Sequence, residues 1–391
     1  MSLSPAAWGR AREGLRPDAA RVLEVAREES AALGTHRVAT SARDLAARVL
    51  GAGPLDGWLA DPSVTDVAVN GDGRVWVDRG RGMECVGARL EIEEVRALAV
   101  RLAGAAGRRL DEASPWVDGQ LPDGGRLHAV LPPLVADGPH ITIRVPARSH
   151  PSLADLAASG MFPPSWVRLL SALVERRRAF VVSGGTGAGK TTLLAALLGC
   201  VAPTDRVVLV EDVRELHVAH PHVVRLEARQ ANVEGFGEVS LTVLLRQALR
   251  MRPDRIVVGE VRGGEVRELL AALNTGHEGG CGTVHANAPE DVVARFEALG
   301  ALVGLSPAAV GVQLAAAVEV VLHVSRTSGV RRLESIAVVD RMGEAPVVVT
   351  AARWLGGRVE RGPAWDRLRE LVGRPALDGC DGRVAPPGGA A

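Results

Sequence analysis

The sequence predicts an α/β fold on a mainly parallel sheet, preceded by a smaller N-terminal α+β domain and a helical N-terminal extension. Three observations carry this. From Leu153 onward, short apolar runs alternate with amphipathic segments of helical period, the pattern of strands and crossover helices. Between residues 55 and 145 the runs are shorter, and hairpin-like turns separate several of them. A glycine-rich loop stands between an apolar run and an alanine/leucine-rich helix, the setting of a phosphate site.

Taken in order, residues 1–53 are rich in Ala, Arg, Glu and Leu at helical spacing and predict a helical segment. Gly51-Ala52-Gly53-Pro54 interrupts it. The α+β domain spans 54–146, with runs at Val64–Asn70, Arg74–Asp78, Arg126–Val130 and His140–Val145 and a helix over Ile92–Ala103. A linker at 147–152 leads to the larger domain, 153–350. There, strands at Phe180, Val207, Val223, Ile256 and Thr283 alternate with helices beginning near Lys190, Val239, Gly263 and Pro289. In the apolar region Ala301–Val324, Ser306-Pro307 starts a helix, and Gln313 and Glu319 argue against a membrane span. Residues 351–391 read as a C-terminal helix and a Pro/Gly-rich tail expected to be disordered.

Composition narrows the function. The 391 residues carry a formal net charge of zero, so no global field draws nucleic acid. Cys85, Cys200, Cys281 and Cys380 are scattered and show no disulfide framework, which suits a reducing cytoplasm. Arg10, Arg12 and Glu13 stand where an export signal needs an apolar stretch. The expectation is a soluble cytoplasmic protein.

The loop is Gly184-Gly185-Thr186-Gly187-Ala188-Gly189-Lys190-Thr191, followed by Thr192, and it fits GxxxxGK[ST]. Its glycines allow successive N–H groups to face inward, and the helix start adds a positive dipole end. Of 46 basic residues Lys190 is the single lysine, at the position where a compact ammonium reaches phosphates and a forked guanidinium fits poorly. The Thr191 hydroxyl is placed to ligate Mg²⁺.

Three further stretches follow. Val207–Val210 leads into Glu211-Asp212, acids that either orient water or hold Mg²⁺ through water, or form a solvated loop. Arg255–Val258 ends in Gly259-Glu260, whereas the usual second nucleotide motif ends its strand in Asp. His277, Cys281 and His285 recur every four residues, which raises a zinc site; the four glycines of the stretch (Gly276, Gly279, Gly280, Gly282) and only three ligands favour a phosphate-sensing loop instead.

In these stretches the chain resembles the type II/type IV secretion ATPase superfamily, nearest the tight-adherence (Flp/Tad) pilus and conjugal-transfer branch. The matching stretches are VTDVAVNG, LPDGGRLHAVLPP, ITIRVP, GGTGAGKTT, VEDVREL, ALRMRPDRIVVGEVRGGE and ALNTGHEGGCGTVHAN, in family order across roughly residues 50–340. The resemblance implies a RecA-like P-loop ATPase domain using ATP and Mg²⁺, with Lys190, Glu211 and Glu260 catalytic. It makes Glu211 the water-orienting base, gives Glu260 and Thr191 the metal, and places His277 and His285 in a histidine box. It implies a ring-shaped homo-hexamer in which Arg126 and Arg144 approach the nucleotide phosphates, with Arg262 among the sensor or inter-subunit contacts. Both N-terminal arginines also read as ordinary surface residues on strands. Its partners would be inner-membrane platform proteins, at the inner face of the cytoplasmic membrane. Cys281-Gly282 departs from relatives, which commonly carry bulkier or hydroxyl residues there.

Two rival readings share the same core. A nucleic-acid-dependent RecA-like motor would need basic and aromatic stacking segments, yet Phe numbers 4 and Tyr 0. A non-hydrolysing nucleotide-binding scaffold would not need Lys190, Thr191, Glu211 and Glu260 together.

Overall fold

A computed structural model describes residues 51–145, 151–229, 231, 236–276, 278–327, 329–342 and 345–373. Most of the helical segment expected over residues 1–53, most of the 147–152 linker, His277 and the tail beyond Gly373 lie outside them. The chain divides into two units, Met1–Arg148 and Ser149–Ala391.

In the first unit, helix α1 (Asp56–Ala60) precedes strands β1 (Asp66–Val69), β2 (Arg74–Asp78) and β3 (Met83–Arg89). Helix α2 (Ile92–Ala105) follows, then β4 (Trp116–Gln120), β5 (Arg126–Val130) and β6 (His140–Arg144). The strands form one antiparallel sheet in the order β3-β2-β1-β6-β5-β4. Alternate residues of β1, β2, β5 and β6 are buried, as one covered face requires. The cover is α2, whose Val95, Leu98, Ala99, Leu102 and Ala103 recur at helical spacing and join the same core. The other face carries a polar row. Asp66, Arg144 and Arg126 are successive cross-strand partners on β1, β6 and β5, so their side chains share one side. Arg144 Nε donates to Asp66 Oδ1 at 3.0 Å.

The second unit opens with α3 (Leu153–Ala158) and α4 (Trp166–Glu175), then β7 (Phe180–Gly184) and α5 (Lys190–Leu198). Next come β8 (Val207–Glu211), β9 (Val223–Glu227), α6 (Leu241–Ala248), β10 (Arg255–Val261), α7 (Val266–Asn274) and β11 (Cys281–Val284). Helices α8 (Asp291–Ala301) and α9 (Pro307–Ala317) precede β12 (Val320–Thr327), β13 (Val330–Met342), β14 (Ala345–Trp354), β15 (Val359–Arg361) and α10 (Trp365–Val372). The sheet order is β15-β14-β13-β12-β7-β11-β10-β8-β9. From β12 to β9 neighbours run parallel, and from β12 to β15 antiparallel.

Both faces of this sheet are covered. Phe180, Val182, Leu209, Val257 and Leu322 face the layer that holds Trp166, Leu194 and Leu368. Val181, Val208, Val258 and Val321 face the layer that holds Leu245, Leu269, Phe296 and Leu314. Burial on both sides explains why these strands read as continuous apolar runs. Ser306 caps α9 by accepting from the Ala309 N–H at 3.2 Å, with Pro307 at the first helical position. The antiparallel meander was not legible in advance: the boundary expected at 350 falls inside β14, which pairs along its length with β13.

Candidate nucleotide site

The parallel strands all deliver their carboxyl ends to one edge, where ligands of such sheets bind. At the end of β7, Gly184 adopts φ 150, and a Cβ there would stand 2.2 Å from the Val324 carbonyl oxygen of neighbouring β12. Only glycine fits. Gly187 (φ 70) and Gly189 (φ 101) then turn the chain, and Gly189 caps α5. Lys190 and Thr191 therefore open the helix, with Thr192 after them.

Lys190 is buried, and its Nζ donates to the Gly184 carbonyl at 2.9 Å and the Gly185 carbonyl at 3.1 Å. Burial pushes its pKa below the ordinary lysine value, and the carboxylates of Glu260 and Glu215 oppose that shift. Thr186 and Gly187 are exposed at the loop apex, Ala188 is buried, and Thr191 and Thr192 are half-buried.

Glu211 ends β8 and is buried. Its Oε1 accepts from the Glu215 N–H at 3.0 Å and the Leu216 N–H at 2.8 Å, so it organises the turn that follows it. Burial, the dominant cause, raises its pKa. The next strand makes room for it: a Cβ on Gly259 would lie 2.9 Å from Glu211 Cγ. This is the physical reason for glycine where an Asp is usual.

Glu260 has the opposite surroundings. The register of β10 on β11 shifts between Val258 and Val261, leaving Gly259 and Glu260 opposite Thr283. Thr283 Oγ1 donates to the Gly259 carbonyl at 2.6 Å and fixes this bulge. Glu260 is exposed, and its charge acts on Lys190 across intervening β11. Beyond it, the Arg262 and Gly263 N–H groups donate to Glu265 Oε1 at 2.6 and 2.8 Å, and the Arg262 guanidinium pairs with Asp212. Asp212, Arg229, Glu238, Ser240 and Arg262 help to line a cleft of about 400 Å³.

His285 is half-buried just past β11. Cys281 lies wholly in the apolar layer, inside core strand β11, and burial pushes its thiol up to about 12. Arg126 and Arg144 belong to the other unit, side by side in the polar row.

Several neighbours of the loop carried no motif. Ser183 Oγ, one residue before Gly184, lies 2.9 Å from His323 Nδ1, with both side chains buried. Burial lowers the pKa of His323, and a backbone hydrogen bond joins it to Asn287, beyond His285. At the opposite, amino-terminal edge of the sheet, away from the loop, the buried Arg255 donates to the Gly279 carbonyl at 3.4 Å, to Val174 O at 2.8 Å and to Asp205 Oδ2 at 3.3 Å, tying the base of the 278–280 turn to the sheet. No sequence signal marks these contacts except the strand placement of Arg255 and His323.

The Thr191 hydroxyl and the exposed Glu260 carboxylate are oxygen donors of the kind that suits Mg²⁺, and the buried ammonium with its turn of positive-φ glycines suits a polyphosphate. The family described as type II/IV secretion system protein matches residues 50–344. This chain belongs to that family. A putative conjugal transfer protein of Mycobacterium tuberculosis is 57% identical over 314 residues, covering 78% of this chain and 89% of that one. The probable conjugal transfer protein TrbB of Sinorhizobium fredii is 33% identical over 310 residues, covering 78% and 91%. The crystal structure of the pilus retraction motor PilT with bound ADP superposes with a TM-score of 0.51 at 20% identity, covering 84% and 89%. The second unit thus has the RecA-like fold of secretion ATPases.

Among the described residues, no helix is long and apolar enough to cross a membrane.

Proposed function

We propose that this secretion-family chain is a Mg²⁺-dependent ATPase that works as a homo-hexamer at the inner face of the cytoplasmic membrane. It would power assembly of a Flp/Tad-type pilus or a related type II/IV secretion or transfer machine, on inner-membrane platform proteins. The observation that carries the reading is the buried Lys190 ammonium, held by the Gly184 and Gly185 carbonyls in reach of the field of a bulged Glu260.

The loop N–H groups from Gly185 to Thr192 would bind the phosphates, and Lys190 would exchange its carbonyl partners for phosphate oxygens. Mg²⁺, when bound by Thr191 and through water by Glu260, supplies charge neutralisation between phosphates. Glu260 orients the attacking water from the open side of the edge. Glu211 fixes the turn beside it and adds a carboxylate in a dry setting. His277, His285 and Arg262 would report phosphate occupancy to the surrounding loops. Arg126 and Arg144 would supply positive charge to the phosphates.

Phosphate release from Mg-ATP tests the reading. Lys190→Ala should lower turnover by about 10³-fold or more, and Lys190→Arg nearly as much. Wild-type-like turnover in either variant counts against it. Stimulation by single-stranded DNA would favour the nucleic-acid motor instead.

The trans role of Arg144 has its own test. Arg144→Ala and Glu260→Gln, each inactive, are mixed under conditions where subunits exchange. Interfaces that pair an intact arginine with an intact glutamate should restore part of the activity. Verified exchange without recovery counts against a trans contact.

A further inference from the structure

The outer side of the phosphate loop is held by a segment that no motif includes. Strands β12 and β13 form a hairpin in which Arg326 and Arg331 are cross-strand partners. Arg331 Nε donates to the Gly187 carbonyl at 3.0 Å. Its Cδ lies 3.4 Å from where a Cβ on Gly189 would stand, and Arg326 Nη1 lies 3.6 Å from the same point on Gly187. Two residues on, the Leu333 N–H donates to the Met161 carbonyl at 2.8 Å, which anchors β13 to the turn after α3.

The Gly187–Ala188 peptide is planar, so its N–H points away from the carbonyl that Arg331 holds. That N–H reaches the Gly185 carbonyl at 3.4 Å, and the same oxygen accepts from Lys190 Nζ. One peptide unit thus links Arg331 outside the loop to the Lys190 cluster inside it. Gly187 sits at φ 70 at an exposed apex, where glycine alone imposes little restraint on the peptide's direction. A guanidinium on the carbonyl selects the direction that turns the N–H inward. The long N–H contact to Gly185 is then ready to be exchanged for a phosphate oxygen.

We infer that Arg331 is a positioning residue for nucleotide binding: it fixes the Gly187 carbonyl outward and so keeps the loop amide available to the phosphates. The inference rests on the ATPase reading and adds to it a residue about 140 positions from the loop, the separation spanned by the Arg331–Gly187 bond. Diphosphate and triphosphate both occupy the loop, so the effect falls on binding of each.

The experiment measures the Kd for ADP by fluorescence titration, with steady-state kcat and KM for Mg-ATP and a thermal melt. Arg331→Ala should raise both Kd and KM about fivefold to tenfold, the scale of one charge-assisted hydrogen bond, with a smaller change in kcat. Arg331→Lys should recover part of the loss, because an ammonium can donate to the same carbonyl without the guanidinium's fixed fork. Arg367→Ala removes an exposed arginine of α10 and should match wild type. Wild-type ADP affinity in Arg331→Ala overturns the inference. So does a lowered melting temperature without a change in Kd, or a lysine variant no better than alanine. If wild type binds no ADP, the ATPase reading fails and this inference with it. If wild type binds, Lys190→Ala does not, and Arg331→Ala equals wild type, the positioning role alone fails.

Discussion

Glu211 ends β8 and Glu260 stands one residue before the end of adjacent, parallel β10, yet their surroundings are opposite. β8 and β10 stay in register as far as Val210 and Val258. One step later Glu211 turns inward over Gly259, is buried, and spends one carboxylate oxygen on two backbone N–H groups. Glu260, lifted by the bulge that Thr283 fixes, is exposed and acts on Lys190. Residue type near the end of a strand therefore does not by itself assign the chemistry. A carboxylate already satisfied by its own loop is a poor partner for water or metal, whereas one re-aimed by a bulge is available. The missing Cβ at Gly259 makes both arrangements possible at once.

Glu260→Gln should therefore show the largest separation between the two. Its kcat is expected to fall about 10²–10³-fold with ADP affinity little changed, because the phosphate loop is untouched. A loss of ADP binding, measured by titration, would move Glu260 from chemistry to nucleotide affinity. Gly259→Ala strikes the comparison from the other side. Its Cβ would stand 2.9 Å from Glu211 Cγ, so the buried carboxylate must shift and its turn with it. A destabilisation of about 1–3 kcal/mol is expected in denaturant melts, with a fall in kcat. An alanine variant with wild-type stability would show that Glu211 does not need that space.

Much of this was legible in the sequence, for identifiable reasons. Strands buried on both faces left continuous apolar runs, and Phe180-Val181-Val182 with its glycine-rich turn needed only local pattern to be placed. The two acidic residues were visible, but the burial of one and the exposure of the other were not. Arg255–Val258 was read as the whole strand, whereas β10 continues to Val261 through the bulge, a register feature set by pairing with β11. The Gly259 departure looked like weak motif agreement until the neighbouring strand supplied Glu211. Arg331, His323 and Ser183 were invisible because their partners are about 140 residues away in the chain, at a separation that no local period reports. The β13–β15 meander was missed for a related reason. Its apolar runs, Ile336–Val339 and Val347–Val349, stood in the sequence, but the antiparallel pairing that adds them to the edge of a parallel sheet is not reported by any local period.

The smallest effect lies in Glu211→Gln, and its sign sharpens the comparison most. Burial is the main cause of the raised Glu211 pKa; the Leu216 and Glu215 backbone hydrogen bonds pull it down, Glu215's charge adds to the rise, and Arg225 opposes it. A carboxyl with a higher pKa folded than unfolded binds more protons in the folded state between the two values. Its contribution to stability is therefore complete below the ordinary value of 4.5 and is lost as pH rises through the folded value. Glutamine does not titrate, and its carbonyl oxygen can still accept both N–H groups. The variant should match wild type in acid and become the more stable protein toward neutral pH, with a gain in Tm on the order of 2 °C. Its kcat should fall about tenfold, well short of the loss in Glu260→Gln. Paired melts across this pH range, with kcat at neutral pH, decide the matter. A stability gap that opens toward acid would overturn the raised Glu211 pKa, and a kcat loss matching that of Glu260→Gln would return the principal catalytic role to Glu211.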